Sequence, residues 1–232
     1  MTPPLIHIIS HRDGILAVHK PAGVAVHPGV EGQGPALTEL LADQGLVGMS
    51  PIHRLDRETS GVVLLSDSAD IRREMGQRFA EHAVRKHYLA LVHGRPRKKG
   101  IVRRALADGR RKRPLEAVTR YRVIRWLGPV ALMHVRPETG RKHQIRRHMQ
   151  SIGHALVDDV RYPPKRGATY TKGPGRVCLH AWRIECDGVG AWEAPLSDDL
   201  AAQVVSLARA HGQWPEGAET PMWLSQLMPS TL

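Results

Sequence analysis

His53-Arg54-Leu55-Asp56-Arg57-Glu58-Thr59-Ser60-Gly61 runs directly into the apolar stretch Val62-Val63-Leu64-Leu65. A charge-dense segment that follows Pro51 and then turns into four consecutive aliphatic residues reads as a loop feeding a buried strand. Within that loop a single Asp stands between Arg54 and Arg57. Nearby positive charge favours the carboxylate form of an acid, and a carboxylate at a strand entrance can serve as nucleophile or base. The simpler alternative is a turn carboxylate with an arginine partner. A His-Arg-Asp kinase loop is set aside, because Leu55 intervenes and neither a Gly-rich phosphate loop nor Asp-Phe-Gly occurs.

Working outward from this loop, short strands are expected over 6–9, 14–19 and 24–26, the last after the Lys20-Pro21-Ala22-Gly23 turn. Leu37, Leu40 and Leu41 have helical spacing, with Gly45 as the stop. Ser68 offers a cap to a helix whose Ile71, Met75 and Phe79 recur every four residues. Strands are expected again at 88–92, 117–126, 130–136 and 177–186. The Pro-, Gly- and cation-rich residues 95–113 read as an exposed loop or twisted hairpin with little core, and 162–176 as a loop. Thr139 is expected to cap a basic helix that runs to about Ile152 and ends at Gly153. Leu200, Val204 and Leu207 mark a late helix. Strands joined by hairpins, with helices outside, argue for an α+β fold built on a mostly antiparallel mixed sheet with flanking helices.

The chain has 232 residues, 41% of them apolar, which suffices for a buried core. Its net charge of +12 is uneven. Residues 95–147 hold 18 Lys or Arg against 3 acidic residues, a local +15, so the remainder sums to −3. Segregated basic charge points to a polyanion, since cations that meet phosphates release counterions. A basic surface kept for solubility is the bland alternative. Two cysteines, Cys178 and Cys186, form no C-x-x-C and read as small core residues of a cytoplasmic protein. No apolar run is long enough for a membrane span, so no membrane partner is expected.

Two further segments carry possible chemistry. In Pro137-Glu138-Thr139-Gly140-Arg141-Lys142-His143-Gln144-Ile145-Arg146-Arg147-His148, four cations crowd what reads as the first turns of a helix. The helix dipole disfavours cations there, and a phosphate or carboxylate would relieve them. In Arg85-Lys86-His87-Tyr88-Leu89, the Tyr is either a half-buried strand aromatic or a ring that stacks on an extruded base. Only 10 of the 232 residues are aromatic, which favours one dedicated ring over a stacking platform. His143 and His148 are five apart, which does not suit a metal pair on one helical face. Trp192, Trp214 and Trp223 read as packing residues.

Taken in order, Val18-His19-Lys20-Pro21-Ala22-Gly23, HRLDRETSG, Lys86-x-Tyr88, TGRKHQIRRH and Leu179-His180-Ala181 resemble the RluA-type RNA pseudouridine synthases over roughly residues 10–185. The resemblance implies that Asp56 is the catalytic aspartate and that Arg54 helps place or replace the flipped nucleotide. It implies that Tyr88 stacks on the uracil, Ile145 walls the base pocket and Arg146 pairs with Asp56. Arg57, Arg141, Lys142 and Arg147 are expected to contact RNA. Such an isomerisation adds and removes nothing, so no cofactor and no metal is expected. The family often has Thr where Lys142 stands, and Gly where Asp158 stands. The chain is expected to be a single catalytic domain over 1–232 without an appended amino-terminal RNA-binding domain. A monomer with no obligate protein partner, acting on transfer or ribosomal RNA, is expected. A non-catalytic RNA-binding or RNA-chaperone protein on the same fold is the rival, and a DNA-binding module lacks any helix-turn-helix or zinc-finger signature.

Overall fold

The computed structural model describes residues 4–28, 34–109 and 113–213. In chain order these form β1 (His7–Arg12), β2 (Ile15–Lys20), α1 (Leu37–Asp43), β3 (Ser50–Pro51), β4 (Ser60–Ser66), α2 (Ala69–Ala80) and β5 (Val84–His93). They continue with β6 (Lys99–Arg103), β7 (Val118–Leu127), β8 (Val130–Pro137), α3 (Gln144–Ser151), β9 (Leu179–Cys186), β10 (Gly190–Glu193) and α4 (Asp198–Ala210). The strand order is β1-β2-β4-β9-β5-β8-β7-β6, with β10 on β9 and β3 on β4. The β1/β2, β2/β4, β3/β4, β9/β10, β5/β8, β7/β8 and β6/β7 pairs are antiparallel. The α+β class with a mostly antiparallel sheet and flanking helices is therefore the observed one.

The chain divides into two compact units, Met1–Lys86 with Ala181–Ala194, and His87–His180 with Pro195–Leu232. In the first, all seven residues of β4 are buried. Val62 and Leu64 face Ile15, Ala17, Met75, Ile184 and Trp192, with Ile71 and Phe79 of α2 packed on the same cluster. Val63 and Leu65 point the other way, paired across the ladder with the fully buried Val18 and Leu16. This two-sided burial explains the unbroken apolar run, since a strand covered on both faces has no polar alternation. Ser68 caps α2 by accepting the Ile71 N–H at 3.4 Å. Gly61 is obligatory: its φ is +120°, and a Cβ there would lie 2.2 Å from the carbonyl oxygen of Ala181.

In the second unit one sheet face packs Ala90, Val92, Val102, Val123, Met133 and Val135 against Ile145 and Met149 of α3. Leu89, Leu91 and Leu132, on the other face, meet Leu200 and Val204 of α4 around a small apolar gap. Three expectations are corrected. Residues 24–26 form no strand, only a bridge from Ala25 to Ala36. The 95–113 segment contains β6, whose pairing with β7 buries Val102. The basic helix begins at Gln144 rather than beside Thr139, because the Thr139 hydroxyl is engaged by the sheet, accepting the Val118 N–H at 3.2 Å.

Candidate active-site segments

In the first unit, the loop that carries Asp56 is fixed by its backbone. β3 starts a ladder with β4, and Ile52 N–H continues it to the Leu64 carbonyl at 2.9 Å. The next ladder position is taken by a side chain: His53 Nε2 accepts the Leu64 N–H at 3.1 Å while its ring lies against Phe79. That acceptor requires a neutral imidazole. Burial, and then the positive charge of Lys86, push the His53 pKa down to about 4. Leu55 is buried and anchors the loop from below. Asp56 then opens a turn in which its carbonyl accepts the Thr59 N–H at 3.0 Å, a position where Asp is favoured.

The far side of the turn is held by the Lys20-Pro21-Ala22-Gly23 segment. The Arg57 carbonyl accepts from Gly23 N–H and from Lys20 Nζ, both at 3.0 Å. The Lys20 ammonium, fully buried, also donates to the carbonyls of Pro21 at 2.8 Å and Val24 at 2.7 Å. Three carbonyl dipoles thus compensate a charge removed from water. Around this frame Arg54 is exposed, while Asp56 and Arg57 are half-buried.

In the second unit, Tyr88 of β5 is half-buried against the cluster that contains Ile145. Arg146 is buried next to Ile145 and grips Asp159 with both forks, Nε to Oδ2 at 2.8 Å and the second nitrogen to Oδ1 at 2.7 Å. The Asp159 side chain has no solvent exposure, and its Oδ1 also accepts the N–H groups of Arg161 and Tyr162. The Tyr162 ring lies 5.3 Å from the Arg146 guanidinium, and its hydroxyl hydrogen-bonds His143 Nδ1 at 3.0 Å. Arg146 is therefore held by this network as well as by helix geometry.

The cations before and after it are engaged differently. Arg141 donates to the Glu116 carbonyl and Arg147 to the Ala107 carbonyl, both at 3.0 Å, whereas Lys142 is exposed. Gln144 ties the segment 139–144 to β7, donating to Val118 and Thr119 and accepting from Thr139 and Arg141. His148 bridges Thr119 and the Arg104 carbonyl, and burial lowers its pKa. It is a core hydrogen-bonding residue.

Of the residues singled out in the sequence, Arg54, Asp56 and Arg57 belong to the first unit, and Tyr88, Arg141, Lys142, Ile145, Arg146 and Arg147 to the second. Sequence reasoning missed the roles of His53, Lys20, Asp159 and Tyr162. The neighbouring Asp158 is also held by the fold. Asp158 adopts φ +58°, a left-handed conformation that Asp tolerates better than most residues, and its Oδ2 accepts the Gly175 N–H at 2.8 Å. Trp192 is buried as expected, and Trp214 and Trp223 lie outside the described residues. Among the described residues, no group of three or more metal-ligating side chains converges, and no helix is long and apolar enough to cross a membrane.

This architecture is shared with solved pseudouridylate synthase domains. Human RNA pseudouridylate synthase domain containing 4 matches with a TM-score of 0.73 at 23% identity, covering 87% of this chain and 92% of that one. Human RNA pseudouridylate synthase domain containing 1 matches with a TM-score of 0.67 at 24% identity, covering 89% and 97%. The RNA pseudouridylate synthase family model matches residues 14–151, and the chain belongs to that family. It is 33% identical over 222 residues to ribosomal large subunit pseudouridine synthase D of Nitrosomonas europaea, covering 85% of this chain and 64% of the relative. It is 34% identical over 201 residues to tRNA pseudouridine synthase C of Haemophilus ducreyi, covering 76% and 83%. The chain thus spans a little under two thirds of the length of the first of these relatives.

Proposed function

We propose that this chain is an RNA pseudouridine synthase acting on a specific uridine of transfer RNA or large-subunit ribosomal RNA. The observation that carries the reading is the turn at Asp56, held from one side by His53 and from the other by Lys20 and Gly23, in a chain that belongs to this family. In this reading the target uridine leaves its stack, at a cost of a few kcal/mol. Asp56 acts on the nucleotide as nucleophile or base, the bond between the ribose and N1 breaks, and the uracil turns and rejoins through C5. The C5 proton is lost and N1 ends protonated, so atoms and electrons balance without a cofactor or metal.

Tyr88 stacks on the turned base, Ile145 walls its pocket, Arg54 helps place or replace the nucleotide, and Arg146 takes part in binding it. Arg57, Arg141, Lys142 and Arg147 contact the RNA backbone. The names of relatives that act on transfer RNA and on the large ribosomal subunit support both substrate classes. A cytoplasmic monomer without an obligate protein partner completes the reading.

The test is mass spectrometric mapping of pseudouridine in total RNA from cells with and without the gene. One site should disappear and return with the wild-type chain but not with Asp56→Asn, which should keep its RNA affinity. Unchanged modification at every site would leave the non-catalytic RNA-binding alternative standing instead.

A further inference from the structure

In the second unit, residues alternate between two sheet faces, and Tyr88, Tyr121 and Val135 look toward α3. The opposite face, beyond the part covered by α4, carries a block of cations. The registers place Lys99 of β6 directly across from Arg122 of β7, and Arg120 of β7 directly across from Arg136 of β8. Arg122 is in turn opposite His134, and Arg103 follows Lys99 and Ile101 along β6. Like charges directly opposite one another on neighbouring strands are destabilising, because their Cβ atoms lie only about 5 Å apart. Two such pairs in adjacent ladders are not a feature that packing selects.

Nothing in the described residues neutralises most of them. Arg120 is paired with Glu138. Among the described residues, no carboxylate lies within ion-pair distance of Lys99, Arg103, Arg122 or Arg136. The local field is strong enough to act on a neighbour: the His134 pKa falls to about 4, chiefly through desolvation and then through His87, Arg122 and Arg136. Ile101, in the middle of the block, is 46% exposed, so the face is open.

We infer that this face of the β5-β8-β7-β6 sheet is a second RNA-binding surface, which takes the phosphate backbone of a part of the substrate distant from the modified uridine. Four of its five Lys or Arg residues are arginines, whose planar fork suits phosphate oxygens. β6 ends the strand order, so an RNA arm that leaves the Tyr88 face can pass that edge and reach the block. The choice of RNA as ligand rests on the proposed function. Binding and turnover are separate measurements, so either can fail alone.

The test compares two probes at several salt concentrations: bulk transfer RNA, and a five-nucleotide single-stranded uridine oligomer too short to reach both faces. The variant Lys99→Gln/Arg122→Gln/Arg136→Gln should bind bulk transfer RNA about tenfold more weakly. The slope of log affinity against log salt should fall by about 2, as expected for the loss of about three phosphate contacts. Affinity for the oligomer should not change. The charge-preserving variant Arg122→Lys/Arg136→Lys should keep the wild-type slope, and it guards against a loss that merely reflects misfolding. Unchanged binding of transfer RNA, or an equal loss on both probes, would overturn the inference. Loss of binding to polyglutamate with an unchanged transfer RNA slope would overturn it too, and would assign the face to an acidic protein.

Discussion

The Arg146–Asp159 pair offers the sharpest test of how the second unit holds its functional segment. The Asp159 side chain has 0% exposure and that of Arg146 8%, with two hydrogen bonds of 2.7–2.8 Å between them. Replacing Asp159 by Leu strands a buried guanidinium and removes the acceptor for two backbone N–H groups at 161 and 162. Breaking a buried pair from one side costs roughly 3–5 kcal/mol. At roughly 2–4 °C per kcal/mol for a chain of this size, the melting temperature should drop by roughly 6–20 °C. Arg146→Met alone should cost a similar amount. The double variant Arg146→Met/Asp159→Leu should recover roughly 2 kcal/mol or more of the sum, because the second change removes the stranded charge. Urea unfolding followed by circular dichroism measures all three. Strictly additive costs would refute the reasoning, since they would mean that neither group depends on the other. Pseudouridine formation should be lost in Arg146→Met and in the double variant, even where stability returns.

Two further outcomes concern the loop of the first unit. The His53 pKa of about 4 lies below its ordinary 6.5, so the unfolded chain takes up a proton first as pH falls. Its contribution is complete above pH 6.5, declines between 6.5 and 4, and amounts to about 2–3 kcal/mol after allowance for partial exposure. His53→Phe should therefore be less stable than wild type at pH 7, and the difference should shrink toward pH 4; a constant difference across that range would contradict it. Lys20→Met leaves three carbonyls without their shared donor and should destabilise the chain by roughly 2–4 kcal/mol. Its turnover should fall further than its RNA affinity, which single-turnover kinetics beside filter binding would reveal.

Legibility in the sequence followed the range of the interaction. β4, α2 and the β7/β8 hairpin were readable because each is specified by its own pattern: an unbroken aliphatic run, a four-residue stripe behind a Ser cap, and alternation around Leu127-Gly128-Pro129. β6 was not, because Lys99 to Arg103 has a single buried side chain and becomes a strand only by pairing with β7. The start of α3 was misplaced for a related reason. A Thr followed by polar residues resembles a helix cap, but Thr139 spends its hydroxyl on Val118 and Gln144, and a left-handed His143 delays the helix. The motif residues stand out in the sequence as candidates, yet the groups that support them do not. Asp159 is thirteen positions from Arg146, and Lys20 is thirty-seven from Arg57. A histidine that substitutes for a backbone acceptor, as His53 does, leaves no local pattern.

The same distinction changes the meaning of the basic segment. Read as composition, residues 95–147 are 18 cations facing an unnamed polyanion. In the structure, eight of them fall into two populations. Arg146 is neutralised by Asp159, Arg120 by Glu138, and Arg141 and Arg147 are turned onto backbone carbonyls. Lys99, Arg103, Arg122 and Arg136 instead share a face on which they repel one another. Only cations of the second kind gain fully from meeting phosphates, because those of the first must surrender a partner to do so. If each of the four makes one contact, this face contributes about 3 to the salt slope. The measured slope for a structured RNA should then reflect a handful of contacts rather than the full count of basic residues. A slope near that full count would mean that the internal partners are given up on binding, and that the arginines tied in the free protein are rearranged by its RNA.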